Sequence, residues 1–217
     1  MSNDLTSRYD GIVNNIHEYN YHILGCGAIG SSAALQLVRM GASNLCLYDY
    51  DKVDIGNIGV SQYDMRHVDK PKVEALAEIL TDINPDVIIY QFNESFNELC
   101  AGERDIVILG FDSMKARLEA VEALCIKGKR PLFIIDGRMG AEHYQQYVFK
   151  SPTLKKYEAT WYSDTEGDIE PCNSKATSYC SNMSGSFIVN AIRKLITNQP
   201  YEKEIIFNFP TMMLQVF

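Results

Sequence analysis

Three glycines at close spacing are the first residues of this chain whose types and positions suggest chemistry. Gly25, Gly27 and Gly30 form a G-x-G-x-x-G pattern that directly follows a short apolar run, residues 21–24. In a turn from a strand into a helix, the first glycine permits the tight turn, and the second lets the backbone approach a phosphate. The third lets the helix pack closely on the strand, and the helix N-terminus then attracts an anion.

An acidic residue follows the last glycine at a suggestive distance. A second apolar run, residues 45–48, ends at Asp49, about 20 positions beyond the glycines, where an acid at a strand end can bind ribose hydroxyls. Strand, glycine turn, helix, strand and acid together predict a nucleotide site that includes the helix-opening residues Ala28 and Ile29. The alternative is a glycine turn that only helps a helix to pack on a sheet.

Two further polar residues stand where helices are predicted to begin. Lys72 lies at the start of a predicted helix over residues 71–82, where the helix dipole mildly disfavours a cation. A bound anion would explain this lysine, and a simple surface lysine is the alternative. Asp112 follows the apolar run 105–110, at the edge where open parallel sheets bind ligands. It is a candidate for a metal- or phosphate-linked role, or for a helix N-cap.

The hydrophobic periodicity predicts the elements that would position these residues. Residues 1–20 are expected to contain one short helix, and residues 21–136 to form a nucleotide-binding core of alternating strands and helices with a loop over residues 50–62. Residues 137–217 are expected to form a strand, a polar crossing loop, a long helix and closing strands. The predicted fold class is α/β: a Rossmann-like, doubly wound, mostly parallel sheet with an antiparallel C-terminal extension, in a single domain.

Composition narrows the possible functions. Among 217 residues, Asp and Glu number 28 against 20 Lys and Arg, giving a formal net charge of −8. This balance argues against non-specific nucleic-acid binding, which needs surplus cations to neutralise phosphates. The sequence contains no signal-like segment and no apolar run long enough for a bilayer, so no membrane association is expected. Six scattered cysteines without a C-x-x-C pair favour free thiols in a reducing cytoplasm.

The motifs form an ordered set along the chain. In order they are Gly25-x-Gly27-x-x-Gly30, Asp49-x-Asp51-x-Val53, Asn57, Gln62, Lys70-Pro71-Lys72, Asn84-Pro85, the pair Asp112 and Arg117, Asp136-Gly137-Arg138, and Pro171-Cys172 before a helix. This set resembles the ThiF/MoeB/HesA superfamily, the adenylating half shared with ubiquitin-activating enzymes. The resemblance extends from about Arg8 to the last strands, so a single ThiF-like adenylation domain over residues 1–217 is expected.

The resemblance implies an ATP- and magnesium-dependent adenylyltransferase that activates a carboxylate. The usual substrate of the family is the C-terminal glycine of a ubiquitin-like or sulfur-carrier protein, and pyrophosphate is the leaving group. By position, Asp49 would hold the ribose, Lys72 the phosphates and Asp112 the magnesium ion. A lysine and a metal aimed at the phosphates would lower the barrier, because the reaction develops negative charge there.

Other site residues follow from the same resemblance. Asn57 and Gln62 would line the phosphate pocket, together with Asp51 of the acidic motif. Cys172 matches a position where some members keep a nucleophilic cysteine, whose thiolate could form a thioester or persulfide; a structural cysteine is the alternative. The family usually forms homodimers, so Arg8 could reach the site of a partner subunit.

The chain departs from the family pattern at two arginines. The stretch 57–62 contains none, and the segment that begins at Arg8 lacks the second of its usual pair. Arg8, Arg66 or Arg138 could substitute; otherwise adenylation would be weak or lost. Three alternatives therefore stay open: a nucleotide-binding but non-catalytic partner subunit, a relative that activates a small-molecule, peptide or tRNA-linked carboxylate, and an NAD-dependent oxidoreductase. The loop over residues 50–62 and Lys72 argue against the last.

Overall fold

The computed structural model describes residues 5–9, 11–13, 15–97, 102–127, 130–165 and 176–217. The strands are β1 (Asn20–Leu24), β2 (Asn44–Tyr48), β3 (Ile88–Phe92), β4 (Asp105–Leu109), β5 (Phe133–Gly140), β6 (His143–Lys150), β7 (Glu204–Asn208) and β8 (Met213–Val216). The α-helices are α1 (Ala28–Arg39), α2 (Ile55–Ile58), α3 (Lys72–Ile83), α4 (Met114–Glu122), α5 (Leu154–Glu158) and α6 (Ser178–Ile196).

These strands form one eight-stranded sheet in the order β3-β2-β1-β4-β5-β6-β7-β8. The strands from β3 to β5 pair in parallel, and the strands from β5 to β8 pair antiparallel. The strand order reverses between β1 and β4, which is the switch point where ligands bind in doubly wound sheets. The predicted fold class, with its antiparallel C-terminal extension, is confirmed.

Both faces of the sheet are covered, because alternate side chains of the central strands enter two separate apolar cores. In β4, Ile106 and Ile108 belong to the larger core, which includes buried residues of α1, α3 and α6. The other two apolar residues, Val107 and Leu109, belong to the smaller core with residues of α4. A strand buried on both faces reads as a continuous apolar run, which explains the pattern at 105–110.

Glycines bring three backbone segments together at the switch point. Gly25 has a φ of +92°, and a Cβ there would lie 2.8 Å from the carbonyl carbon of Gly110. A Cβ on Gly30 would overlap the carbonyl oxygen of Gly25. The first and third glycines of the motif are therefore required for packing of the turn against α1 and the end of β4, whereas a Cβ on Gly27 would meet nothing within 4 Å.

The structure refines three local predictions. The short helix expected within residues 1–20 is a 3-10 helix, Ile16–Glu18, preceded by turns in the described part of that segment. The loop over residues 50–62 contains the short helix α2, and the crossing loop contains α5. Helix α4 continues into a π-helical turn, Ala123–Lys127. A reciprocal cap explains α2, because Asp54 and Asn57 each bind the other's backbone N–H.

The glycine contact makes a testable prediction about stability. We expect Gly30→Ala to lower the free energy of unfolding by about 3 kcal/mol, since the added methyl group meets backbone that cannot move aside. Gly59→Ala is the matched control, because a Cβ there meets nothing within 4 Å and its φ is −75°. Urea denaturation measures both, and equal stability of the two variants would contradict the packing role of Gly30.

Candidate active site

A cavity of about 970 Å³ opens at the carboxyl edge of the parallel strands, a volume typical of ligand pockets. The residues singled out from the sequence that line it are Gly25, Gly27, Ala28, Ile29, Asp49, Asp51, Asn57, Lys72, Asp112, Arg117 and Arg138. Gly30, Gln62 and Arg8 are not among its lining residues. Cys172 lies outside the residues that the structure describes.

The N-terminus of α1 faces the cavity without a side-chain cap. Gly27 is the N-cap residue and has no side chain that could accept from the first-turn N–H groups. Gly27, Ala28 and Ile29 all contribute to the cavity wall. Unpaired N–H groups and the helix dipole make this wall suitable for an anion such as phosphate.

Asp49 lies beside this turn and holds it in place. Its Oδ2 accepts the backbone N–H of Cys26 at 2.8 Å, and its Oδ1 accepts the N–H of Asp51 at 2.9 Å. The side chain is 9% exposed. Burial raises the pKa of Asp49, although Lys72 and the two N–H groups oppose the shift. Each oxygen keeps a lone pair, so the carboxylate can still accept from a ribose hydroxyl.

Lys72 is a buried cation rather than a surface lysine. Its Nζ lies 2.8 Å from Oδ2 of Asp51 and 4.0 Å from Oδ1 of Asp49. Burial alone would lower the pKa of Lys72, but the two carboxylates outweigh it and the pKa lies above its usual value. The ammonium group is therefore charged and stands in the cavity wall, where it can meet a phosphate.

The structure separates the two amides that were expected to act together. Asn57 lines the cavity and caps α2. Gln62 instead bridges helices: its backbone N–H donates to Oγ of Ser31 at 3.2 Å, and its Nε2 donates to Oδ1 of Asn182 at 2.8 Å. In the structure Gln62 links the loop to α1 and α6, and its role in the phosphate pocket stays a prediction.

Asp112 lines the cavity directly after β4. The N-cap of α4 is Ser113, whose Oγ accepts the N–H of Ala116, so the N-cap reading of Asp112 is wrong. Within the described ranges, no group of three or more His, Cys, Asp or Glu residues could hold a metal ion. Magnesium at a nucleotide needs only one or two carboxylates beside phosphate oxygens and water, so Asp112 fits that ion.

Two arginines that could replace the missing cations lie elsewhere. Arg8 is exposed, and its neighbour Tyr9 donates to the carbonyl of Arg39 at the far end of α1. Because α1 has 12 residues, this end is about 18 Å from the glycine turn. Arg66 is exposed and lies 2.6 Å from Asp64. Neither residue reaches the cavity of its own chain.

A buried charge network, whose connections the sequence did not reveal, forms another wall of the cavity. Asp136 is fully buried and accepts from three groups: Nη1 of Arg117, Nε of Arg138 at 2.9 Å and the hydroxyl of Tyr157 at 3.1 Å. The Asp136-Gly137-Arg138 motif was the available signal. The distant partners Arg117 and Tyr157 join it only through the fold.

Arg138 lines the cavity but is already engaged. Its Nη1 donates to the carbonyl of Thr160 at 2.7 Å, and its guanidinium lies over the rings of Tyr147 and Tyr162 at 4.6 and 5.2 Å. Nearby Asp136 raises the pKa of Arg138, against the effect of burial. This arginine fastens the segment after α5 to β5 and is not available to a phosphate in this arrangement.

Arg117 likewise holds the end of the neighbouring strand, β4, in place. It donates to the carbonyl of Leu109 at 3.2 Å and to the carbonyl of Phe111. These two carbonyls flank the turn that leads to Asp112. The buried network therefore fixes the position of the expected magnesium ligand.

Fold and site together define a doubly wound α/β protein with a glycine turn, an uncapped helix N-terminus and a buried lysine at its switch point. The sequence profile of the ThiF family matches residues 6–216, and the chain belongs to that family. None of the helices in the described ranges has the length and apolar character needed to cross a membrane.

Curated relatives include ubiquitin-like modifier-activating enzyme 5 from two distant organisms. The Bombyx mori protein is 35% identical over 133 residues, which cover 53% of this chain and 34% of the relative. The Arabidopsis thaliana protein is 40% identical over 85 residues, covering 38% of this chain and 20% of the relative. The match thus spans about a third or less of the length of these relatives.

Solved structures support the fold. A crystal structure of selenomethionine PaaA aligns with a TM-score of 0.75 at 18% identity, over 94% of this chain and 64% of that chain. A crystal structure of E. coli MccB with ATP aligns with a TM-score of 0.73 at 15% identity, over 95% and 65% of the two chains. At these identities the likeness concerns the fold alone.

The buried network makes a second prediction. We expect Asp136→Asn to lower the free energy of unfolding by about 3–5 kcal/mol, because two buried guanidinium groups lose the carboxylate that they share. Glu119→Gln is the matched control: its exposed carboxylate lies 3.6 Å from Lys115, and its loss should cost less than about 0.5 kcal/mol. Chemical denaturation measures both. A loss of similar size in the two variants would contradict the network.

Proposed function

We propose that this chain is an ATP-dependent adenylating domain that activates a carboxylate. The observation that carries the proposal is the placement of the buried Lys72 ammonium group in the same cavity wall as the uncapped N-terminus of α1. Asp49 stands beside them, at the position expected for a ribose acceptor. Membership of the ThiF family and the kinship to ubiquitin-like modifier-activating enzyme 5 support the same reaction class.

The proposed reaction joins the substrate carboxylate to AMP. A carboxylate oxygen attacks the α-phosphorus of ATP, the acyl phosphate bond forms, and the bond to the β-phosphate breaks so that pyrophosphate leaves. Lys72 and the N–H groups of Ala28 and Ile29 hold the phosphates and balance their charge. Magnesium, held by Asp112 and the phosphate oxygens, would supply further charge stabilisation when bound.

The proposed substrate is the C-terminal glycine of a ubiquitin-like or sulfur-carrier protein. The names of the curated relatives support the ubiquitin-like part of this class. From the family resemblance, we further propose that the protein is cytoplasmic and acts as a homodimer. In that arrangement Arg8, exposed and distant from its own cavity, would serve the partner's site. The thiolate of Cys172 is proposed to attack the acyl-adenylate, which forms a thioester and releases AMP.

A nucleotide-binding but non-catalytic role is the second candidate. Among the described residues that line the cavity, the only lysine or arginine side chains are Lys72, Arg117 and Arg138, and Asp136 engages both arginines. This leaves Lys72 as the one cationic side chain of the described lining that can bind a triphosphate, which carries several negative charges. ATP binding without ATP–pyrophosphate exchange, measured with candidate carrier proteins, would favour this second role over adenylation.

Replacement of Lys72 tests the proposed phosphate site. We expect Lys72→Met to weaken ATP binding by about tenfold or more, because a charge-assisted hydrogen bond to phosphate is lost. Lys70→Met is the matched control: this exposed lysine, two residues away, binds Glu78 at 2.7 Å. Isothermal titration calorimetry measures both affinities, and thermal melting confirms folding. Equal ATP affinities in the two variants, both folded, would contradict the assignment of Lys72 to the phosphate site.

Asp112 makes a separate prediction about magnesium. We expect Asp112→Asn to abolish most of the gain in ATP affinity that magnesium gives the wild type, since the amide has no charge to hold the ion. Affinity for metal-free ATP should not fall, because one negative charge near the phosphates is removed. The exposed Asp86 provides the control Asp86→Asn. An unchanged magnesium dependence in Asp112→Asn would remove Asp112 from the metal site.

A further inference from the structure

The proposed phosphate site is built from two distant segments of the chain. One is the glycine turn with the first residues of α1, and the other is Lys72 at the start of α3. Both arginines in the described lining are bound to Asp136. Phosphate binding therefore depends on main-chain N–H groups and one lysine, and these act together only if their separation is fixed.

The peptide units of Cys26 connect the two segments. Its N–H donates to Oδ2 of Asp49 at 2.8 Å, and its carbonyl accepts the hydroxyl of Tyr63 at 2.6 Å. Each of these partners also contacts Lys72. Oδ1 of Asp49 lies 4.0 Å from the Lys72 Nζ, and the Tyr63 hydroxyl lies 3.3 Å from the Lys72 carbonyl. Tyr63 and Asp49 thus clamp the turn to the start of α3 from two sides.

Tyr63 is itself rigidly held. It is 4% exposed, and its ring packs edge-on against the buried His67 at 6.2 Å between centroids. The preceding residue, Gln62, is bound to Ser31 of α1 and Asn182 of α6. Burial raises the pKa of Tyr63, so the hydroxyl keeps its proton and remains a donor.

We propose that Tyr63 is a positioning residue for phosphate binding: its hydroxyl sets the separation between the glycine turn and Lys72. The inference rests on the proposed function, because it concerns the same site. The role of Tyr63 is indirect, because Tyr63 is not among the residues that line the cavity. The hydroxyl bonds only to the two carbonyls of Cys26 and Lys72 within the described residues.

The test compares two tyrosine hydroxyls of similar burial. Tyr63→Phe removes the hydroxyl at the site, and Tyr21→Phe removes one that donates to the carbonyl of Ile16 at 2.8 Å, at the other edge of the sheet. Calorimetric titrations with ATP and with adenosine separate the phosphate contribution from the nucleoside contribution. We expect Tyr63→Phe to weaken ATP binding about tenfold, the factor for one neutral hydrogen bond, and to leave adenosine binding within about twofold.

Tyr21→Phe should lose similar stability with no change in the ratio of ATP to adenosine affinity. If the wild type prefers ATP and both variants keep that preference, Tyr63 has no positioning role, although the proposed function stands. If the wild type binds ATP no better than adenosine, there is no phosphate site, and both the proposed function and this inference fall.

A second measurement needs no ligand. Amide hydrogen exchange at Gly25 and Cys26, whose N–H groups donate to the Tyr48 carbonyl and to Oδ2 of Asp49, should be faster in Tyr63→Phe than in Tyr21→Phe, because the turn has lost its anchor to α3. Exchange at equal rates in the two variants would overturn the inference even if the affinities differed.

Discussion

Close approach of three backbone segments at the switch point is the constraint on which the rest of the site depends. Gly25 and Gly110 leave adjacent parallel strands side by side, and the N–H of Gly110 donates to the carbonyl of Leu24 at 2.8 Å. Because Gly30 lets α1 start against this pair, the first turn of the helix opens directly into the cavity. The part of the cavity wall formed by this first turn is therefore main chain, and no side chain separates its N–H groups from a ligand.

The charged residues at the carboxyl edge of the sheet form two clusters. The clusters differ in whether a charged group remains free to bind a ligand. Asp136 lies in a fully buried cluster in which every ionised group has a partner, as a desolvated charge requires. Lys72 lies in a more open cluster, since its partner Asp51 is half-exposed. In the proposed function, an incoming phosphate competes with Asp51 for Lys72, whereas Asp136 retains the two buried arginines. The Asp136 cluster therefore stabilises the fold, and Lys72 is the side chain proposed to bind phosphate.

Sequence periodicity predicted the alternation of strands and helices along the chain, including α1, α3 and α6, because burial on one or two faces gives a regular pattern of apolar residues. At the N-terminus the same pattern predicted a short helix but not its type: Val13 and Ile16 are buried by turns and a 3-10 helix. Helix α2 arose from a reciprocal cap between Asp54 and Asn57, which overrides a glycine-rich composition. Local periodicity reports which residues are buried, not which backbone conformation buries them.

Site residues next to strand ends were predictable for a related reason: the carboxyl ends of parallel strands meet at one edge, so Asp49 and Asp112 had to be neighbours of the glycine turn. Contacts that depend on loop geometry were not predictable. Gln62 turned toward α6, and Tyr63, beside it in the chain, reached the glycine turn. Adjacent side chains of an irregular segment can thus contact a pair of helices and the glycine turn at once, and no spacing rule predicts which residue makes which contact.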